Sequence, residues 1–89
     1  MVIQLKKFGT TLTSREDGRE AWAAIQPLLK ELSDTEALQI DFAGVNTFSP
    51  SWGDEFLTPF FKKFKNQLTL LNTENASVKA TLAMLEYKK

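Results

Sequence analysis

The sequence contains no cysteine and no histidine. Without cysteine there is no disulfide and no thiolate nucleophile, and without histidine there is no imidazole base for acid–base catalysis. Zinc sites built from those two residues go with them. Net charge is missing as well: eleven Lys plus Arg balance eleven Asp plus Glu, and the pI is near 6.2. A general nucleic-acid binder gains affinity by neutralising phosphates, so a neutral chain points away from nucleic acid. No apolar run approaches the roughly 20 residues that a bilayer span needs. Met1 to Phe8 (MVIQLKKF) also lacks the long apolar core of a secretory signal. The expectation is a cytoplasmic protein that meets no membrane. The four glycines are not grouped as a phosphate-cradling loop requires.

What is present is an ordinary globular composition, 43% hydrophobic and 25% charged. Eighty-nine residues hold one core, so the chain is read as a single domain over residues 1–89. A domain of this size buries only about two-thirds of its unfolded surface, so its stability is expected to be modest. The expected state is a monomer or a weak homodimer, and no cofactor is implied.

The pattern predicts three strands and three helices in alternation. Val2 to Phe8 suits a first strand, with Gly9 as the break after it. Ser14-Arg15-Glu16-Asp17 has the spacing of a capping box, with Asp in place of Glu or Gln. Ala21, Trp22, Ile25, Leu28, Leu29 and Leu32 then recur at helical intervals, predicting a helix from Glu16 to Leu32 that Pro27 should kink. Ala37 to Phe42 alternates as a half-buried strand, and Ala43 to Phe48 reads as a loop. Ser49-Pro50 is a helix start, Ser as cap and Pro at the first helical position, with Ser51 and Asp54 as a competing cap. The helix from Ser51 to Lys65 carries Trp52, Phe56, Phe60 and Phe64 at four-residue spacing, and Pro59 should bend it. Gln67 to Asn72 reads as a third strand and Asn75 to Tyr87 as a terminal helix. The order β-α-β-α-β-α predicts an α/β fold with a small, mainly parallel or mixed sheet of three to four strands and right-handed crossovers.

Several residues stand out on chemical grounds. Asp41 closes a strand of an open α/β sheet, the end at which such sheets place ligands, although it can equally satisfy an N–H of its own loop. Asp54 and Glu55 are adjacent, so on a helix they point about 100° apart and make no convergent acid–base pair; their place near the helix start suits the macrodipole. Arg15 reads as a surface charge or as a contact for an anion or a partner carboxylate. The aromatic series of the second helix is too wide for one small sheet face. It predicts an exposed patch of Trp52 with Phe60 or Phe61, whereas Lys62, Lys63 and Lys65 read as a solvated face.

The stretch Leu38 to Leu57, LQIDFAGVNTFSPSWGDEFL, resembles the central segment of STAS domains, the fold of anti-sigma-factor antagonists. The likeness is closer to a STAS-like branch of unknown function. That branch pairs a Ser-Arg-x-x-Gly helix start with an Asp-Phe-x-Gly-Val strand and a Ser-x-Ser-Phe/Trp-x-Asp-Glu helix start. Ser14 to Gly18, Asp41 to Val45 and Ser49 to Glu55 carry the pattern, as does the tail from Asn75 to Leu85. Two positions depart from the antagonists: Ser49 stands where they have Asp, and Pro50 where they have the first serine. The resemblance implies that Ser51 is a phospho-acceptor whose charge selects the partner. It also implies that the partner is a GHKL-type ATP-binding kinase or a protein it regulates. A phosphate at Ser51 would lie at the positive end of a helix; as a plain cap the same serine would contribute about 1 kcal/mol.

Three functions compete. The first is a non-catalytic regulatory module that presents the segment from Asp41 to Glu55, with Ser49, Ser51, Trp52, Asp54 and Glu55, to a protein partner. The second is a small-ligand or nucleotide-binding domain using the helix start at Ser49 to Gly53 as an anion site. The third, an enzyme built on Asp41 and Ser51, lacks the base that an activated serine needs.

Overall fold

A computed structural model of the protein describes residues 1–85. Its centre is a three-stranded parallel sheet of β1 (Val2–Gln4), β3 (Leu38–Asp41) and β5 (Leu68–Leu71), in the order β1-β3-β5. Ile3 pairs with Ile40, and Ile40 with Leu70, which fixes the register across all three strands. Helices α1 (Arg15–Leu29) and α2 (Pro50–Phe64) make the two crossovers. Each moves the chain one strand in the same direction, so right-handed connections put both helices on one face. They pack directly on each other there, with the Trp22 ring edge-on to Phe60 at 5.0 Å and to Phe56 at 6.3 Å.

A second, two-stranded parallel sheet joins β2 (Thr11–Leu12) to β4 (Thr47–Phe48). Thr47 and Phe48 fall in the segment read from sequence as a loop, and a two-residue strand is too short to show alternation. Among the described residues the far edge of β4 has no further strand. The last helix, α3 (Ala76–Met84), serves instead: Ser77 Oγ accepts from the Phe48 N–H at 2.7 Å and donates to the Phe48 carbonyl at 3.0 Å. Thr81 Oγ1 donates to the same carbonyl. Two hydroxyls thus satisfy backbone groups that would otherwise be buried without partners.

Other boundaries also move. The first strand stops at Gln4, and Leu5–Phe8 winds into a 3-10 turn rather than continuing the strand to Phe8. Its neighbour β3 ends at Asp41, opposite Gln4, so beyond that point β1 has nothing to pair with. Helix α1 is capped as the sequence predicts, Ser14 Oγ accepting from the Asp17 N–H, but it ends at Leu29 and not at Leu32. Pro27 lies in its last turn and withholds an N–H, and the chain closes with tight turns from Leu28 and Leu29 to Glu31 and Leu32. Leu28, expected in the core, is 55% exposed. The buried line of α1 is Gly18, Ala21, Ile25 and Leu29, and Leu28 lies about 65° from its centre at 100° per residue. Helix α2 starts at Pro50 on a Ser49 cap and runs through Pro59. The terminal helix is capped by Asn75; the predicted extension to Tyr87 lies outside the described residues.

The core gathers Ile3, Leu38, Ile40 and Phe42 from the main sheet and its end, Ile25 and Leu29 from α1, and Trp52, Phe56, Leu57 and Phe60 from α2. At Gly18 the two helices approach each other closely. A Cβ there would lie 2.6 Å from the Trp52 carbonyl oxygen. No helix among the described residues is long and apolar enough to cross a membrane.

Candidate functional site

The crossovers bring the C-terminal ends of the parallel strands and the N-termini of α1 and α2 to the same end of the molecule. Asp41 ends the central strand, half-buried. Its Oδ1 accepts from the Ala43 N–H at 2.9 Å and from Asn72 Nδ2 at 2.7 Å. Asn72 follows β5 in the left-handed region, φ 57°, which turns its amide back to the neighbouring strand. The Asn72 amide, the Ala43 N–H and the charge of Lys6 hold the Asp41 carboxyl below its usual range, against the opposing effect of burial. Asp41 is therefore ionised and engaged at neutral pH. No hydrogen bond or ion pair joins it to Ser49 or Ser51 among the described residues.

At the start of α2 the two serines divide their roles. Ser49 Oγ accepts from the Trp52 N–H at 3.4 Å and donates to the Thr13 carbonyl at 3.0 Å, so the cap also ties α2 to the segment before α1. Ser51, one residue after Pro50, is inside the helix, half-buried, and its hydroxyl makes no hydrogen bond among the described residues. The competing cap by Ser51 is not used. Pro50 has no N–H to offer and Ser49 takes that of Trp52, which leaves the Ser51 amide as the open donor of this turn. One amide is a poor cradle for a phosphate.

Asp54 and Glu55 differ from expectation. Because α2 begins at Pro50, they sit in its second turn, beyond the reach of the dipole at its end. Adjacent on the helix, they nevertheless converge on one atom: Arg15 Nη1 donates to Glu55 Oε2 at 2.8 Å and to Asp54 Oδ2 at 3.1 Å. Arg19 Nε approaches Glu55 Oε1 at 3.5 Å, and Thr58 Oγ1 donates to Asp54 at 3.3 Å. The bond to Arg15 holds the Glu55 carboxyl below its usual range, and the two acids raise the pKa of Arg15 further. Arg15 thus spans the starts of both helices, with Gly18 against Trp52 one turn on. Ser51 precedes Asp54 by three residues and Glu55 by four, so it lies on the same face of α2 as this charge cluster.

The expected aromatic patch is not exposed. Trp52 is 1% exposed and Phe60 fully buried, because α1 covers one side of α2 while the 3-10 turn folds Phe8 over Trp52; Phe61 is half-buried against the core. The Phe8 ring stands 6.2 Å from that of Trp52 and 5.6 Å from that of Phe56. Lys62, Lys63 and Lys65 are exposed, and Lys63 Nζ lies 5.7 Å from the Trp22 ring centre. Sequence reasoning missed Asn72, Arg19 and Phe8. Asn72 had a signal in hindsight: in a parallel sheet it follows Leu71, the register partner of Asp41.

Compared with known proteins, the chain matches no family model and has no significant match among curated proteins or solved structures.

Proposed function

We propose that the protein is a non-catalytic regulatory module of the STAS-like kind, which docks a protein partner through residues 41–55 and is switched by phosphorylation of Ser51. A GHKL-type ATP-binding kinase is the partner that this reading names. The observation that carries it is the division between the serines: Ser49 caps α2, so the half-exposed Ser51 hydroxyl has no structural bond to lose. A small α/β fold with parallel strands and Asp41 at the end of the central one supports the same reading.

The electrostatics give the switch a mechanism. Arg15 and Arg19 currently balance Asp54 and Glu55. A phosphate on Ser51 adds roughly −1.5 to −2 charges on the same face of α2. It would compete for Arg15 and leave a carboxylate uncompensated, turning a neutral docking surface strongly acidic. Anion binding at residues 49–53 is the weaker reading, since one open amide remains there.

The test is phosphopeptide mapping of the protein isolated from its own cells, together with partner capture by wild type, Ser51→Ala and Ser51→Asp. Phosphate on Ser51 and capture lost only with Ser51→Asp are expected. An unmodified Ser51 and equal capture by all three forms would overturn the proposal.

A further inference from the structure

A groove of about 380 Å³ runs between α1 and the 3-10 turn, beside the site above but on another face. Phe8 forms one wall, Ala21 and Ala24 the other, with the edge of Trp52 at its floor and Asp17 and Glu20 on the rim. It is open rather than enclosed, whereas small-molecule sites bury most of their ligand. An open apolar trough along a helix suits another helix.

Three features say what that helix is like. Ala21, Ala24 and Leu28 follow the i, i+3, i+7 spacing of a helix seam, and Leu28 extends the trough with the exposed side chain that the core does not use. Ala24, exposed on this seam, lets a second backbone come close and leaves room for bulky side chains from the partner, while Ala21 beneath it belongs to the buried line of α1. The rim carries charge without compensation: Asp54 and Glu55 are held by Arg15 and Arg19, whereas Asp17 and Glu20 have no ion-pair partner among the described residues. Glu20 is in the second turn of α1, so the macrodipole does not account for it.

We infer that this groove docks an amphipathic helix of a partner protein, apolar on one side and carrying Lys or Arg at the end that meets Asp17 and Glu20. The strip from Asp17 to Leu28 is twelve residues long and spans about 16 Å, so the docked helix has about three turns. Basic residues are favoured at a helix C-terminus, and that end belongs over the N-terminal turns of α1, so the two helices run antiparallel. This surface is independent of the Ser51 reading.

The probe is a synthetic Leu/Lys amphipathic helical peptide of about fourteen residues, three to four turns, with a Leu/Glu peptide of the same pattern as control. Each is titrated into the isotope-labelled protein and followed by amide chemical shifts. The Leu/Lys peptide is expected to move Phe8 and residues 17–28 selectively, with affinity falling as salt rises. Ala24→Arg, at an exposed site, fills the trough with a like charge and is expected to weaken binding by about tenfold or more. Asp17→Asn with Glu20→Gln leaves the trough intact and is expected to weaken it about fivefold and to flatten the salt dependence. Shifts spread over the whole surface, equal binding of the Leu/Glu peptide, no binding of either, or indifference to both variants would each overturn the inference.

Discussion

Gly18→Ala separates the packing of this fold from helix propensity by the sign of its effect. Propensity alone favours alanine: replacing glycine inside a helix contributes about 1 kcal/mol. The structure opposes it. The new Cβ would stand 2.6 Å from the Trp52 carbonyl oxygen and 3.0 Å from the Trp52 Cα, and both are backbone atoms that no rotamer change removes. Helix α1 must retreat by several tenths of an ångström. A gap of about 0.5–1 Å forfeits a quarter to a half of each dispersion contact along the interface, including that of Trp22 with Phe60. Overpacking of this kind costs about 1–3 kcal/mol, and an immovable neighbour places it near the upper end. The expected net effect is a loss of about 1–2 kcal/mol, which in a domain of this size lowers Tm by roughly 4–8 °C for each kcal/mol. Urea and thermal melts of Gly18→Ala, Arg15→Met and the double variant give the value and its coupling to the Arg15 contacts. The retreat also stretches the 2.8 Å Arg15–Glu55 bond, so Arg15→Met should cost less in the alanine background than alone. A higher Tm for Gly18→Ala would refute the close approach and the α1–α2 geometry built on it.

Ser77→Ala should cost about 1–3 kcal/mol in a urea melt, because it strips the Phe48 N–H of its acceptor; Thr81→Val should cost less, since Ser77 still serves the carbonyl. Ser49→Ala should cost about 1–2 kcal/mol and Ser51→Ala within about 0.5, which differential scanning fluorimetry resolves. Asp41 has a folded-state pKa below its unfolded value, so its contribution to stability is present above about pH 4 and fades as acid protonates it through the folded value. Acid melts of Asp41→Asn should therefore show a flatter fall in stability below about pH 4 than wild type, and Asn72→Ala should give part of that flattening.

Most of the main sheet was legible because its strands carry their own signal. Leu38, Ile40 and the polar residues between them alternate, and their helices are announced by Ser14 and by Ser49-Pro50, which cap as their spacing requires. The second sheet was not legible. Its strands are two residues each, too short for a period, and β4 depends on hydroxyls of α3 that are about thirty residues away. Leu5–Phe8 misled for a related reason. Its composition suits a strand, but a strand persists only while a neighbour supplies hydrogen bonds, and β3 ends where Asp41 turns the chain into its own loop.

The site was legible in its parts and not in its contacts. Ser49, Ser51, Asp41 and Arg15 could each be named from local pattern, because caps, strand ends and helix starts are local events. What each one touches is set by how α1 lies on α2, and that depends on Gly18, whose lack of a side chain lets the helices meet at Trp52. The approach brings Arg15 over Asp54 and Glu55, so two carboxylates that helical geometry alone points apart share one guanidinium. It also explains the burial of Trp52. An aromatic stripe on an isolated helix looks too wide for a small sheet, but α2 has three covers: the sheet, α1 and the Phe8 turn. Part of the apolar surface left over lies on α1 at Leu28 and Ala24, the side that turns away from α2, where the sequence pattern had assigned Leu28 to the core.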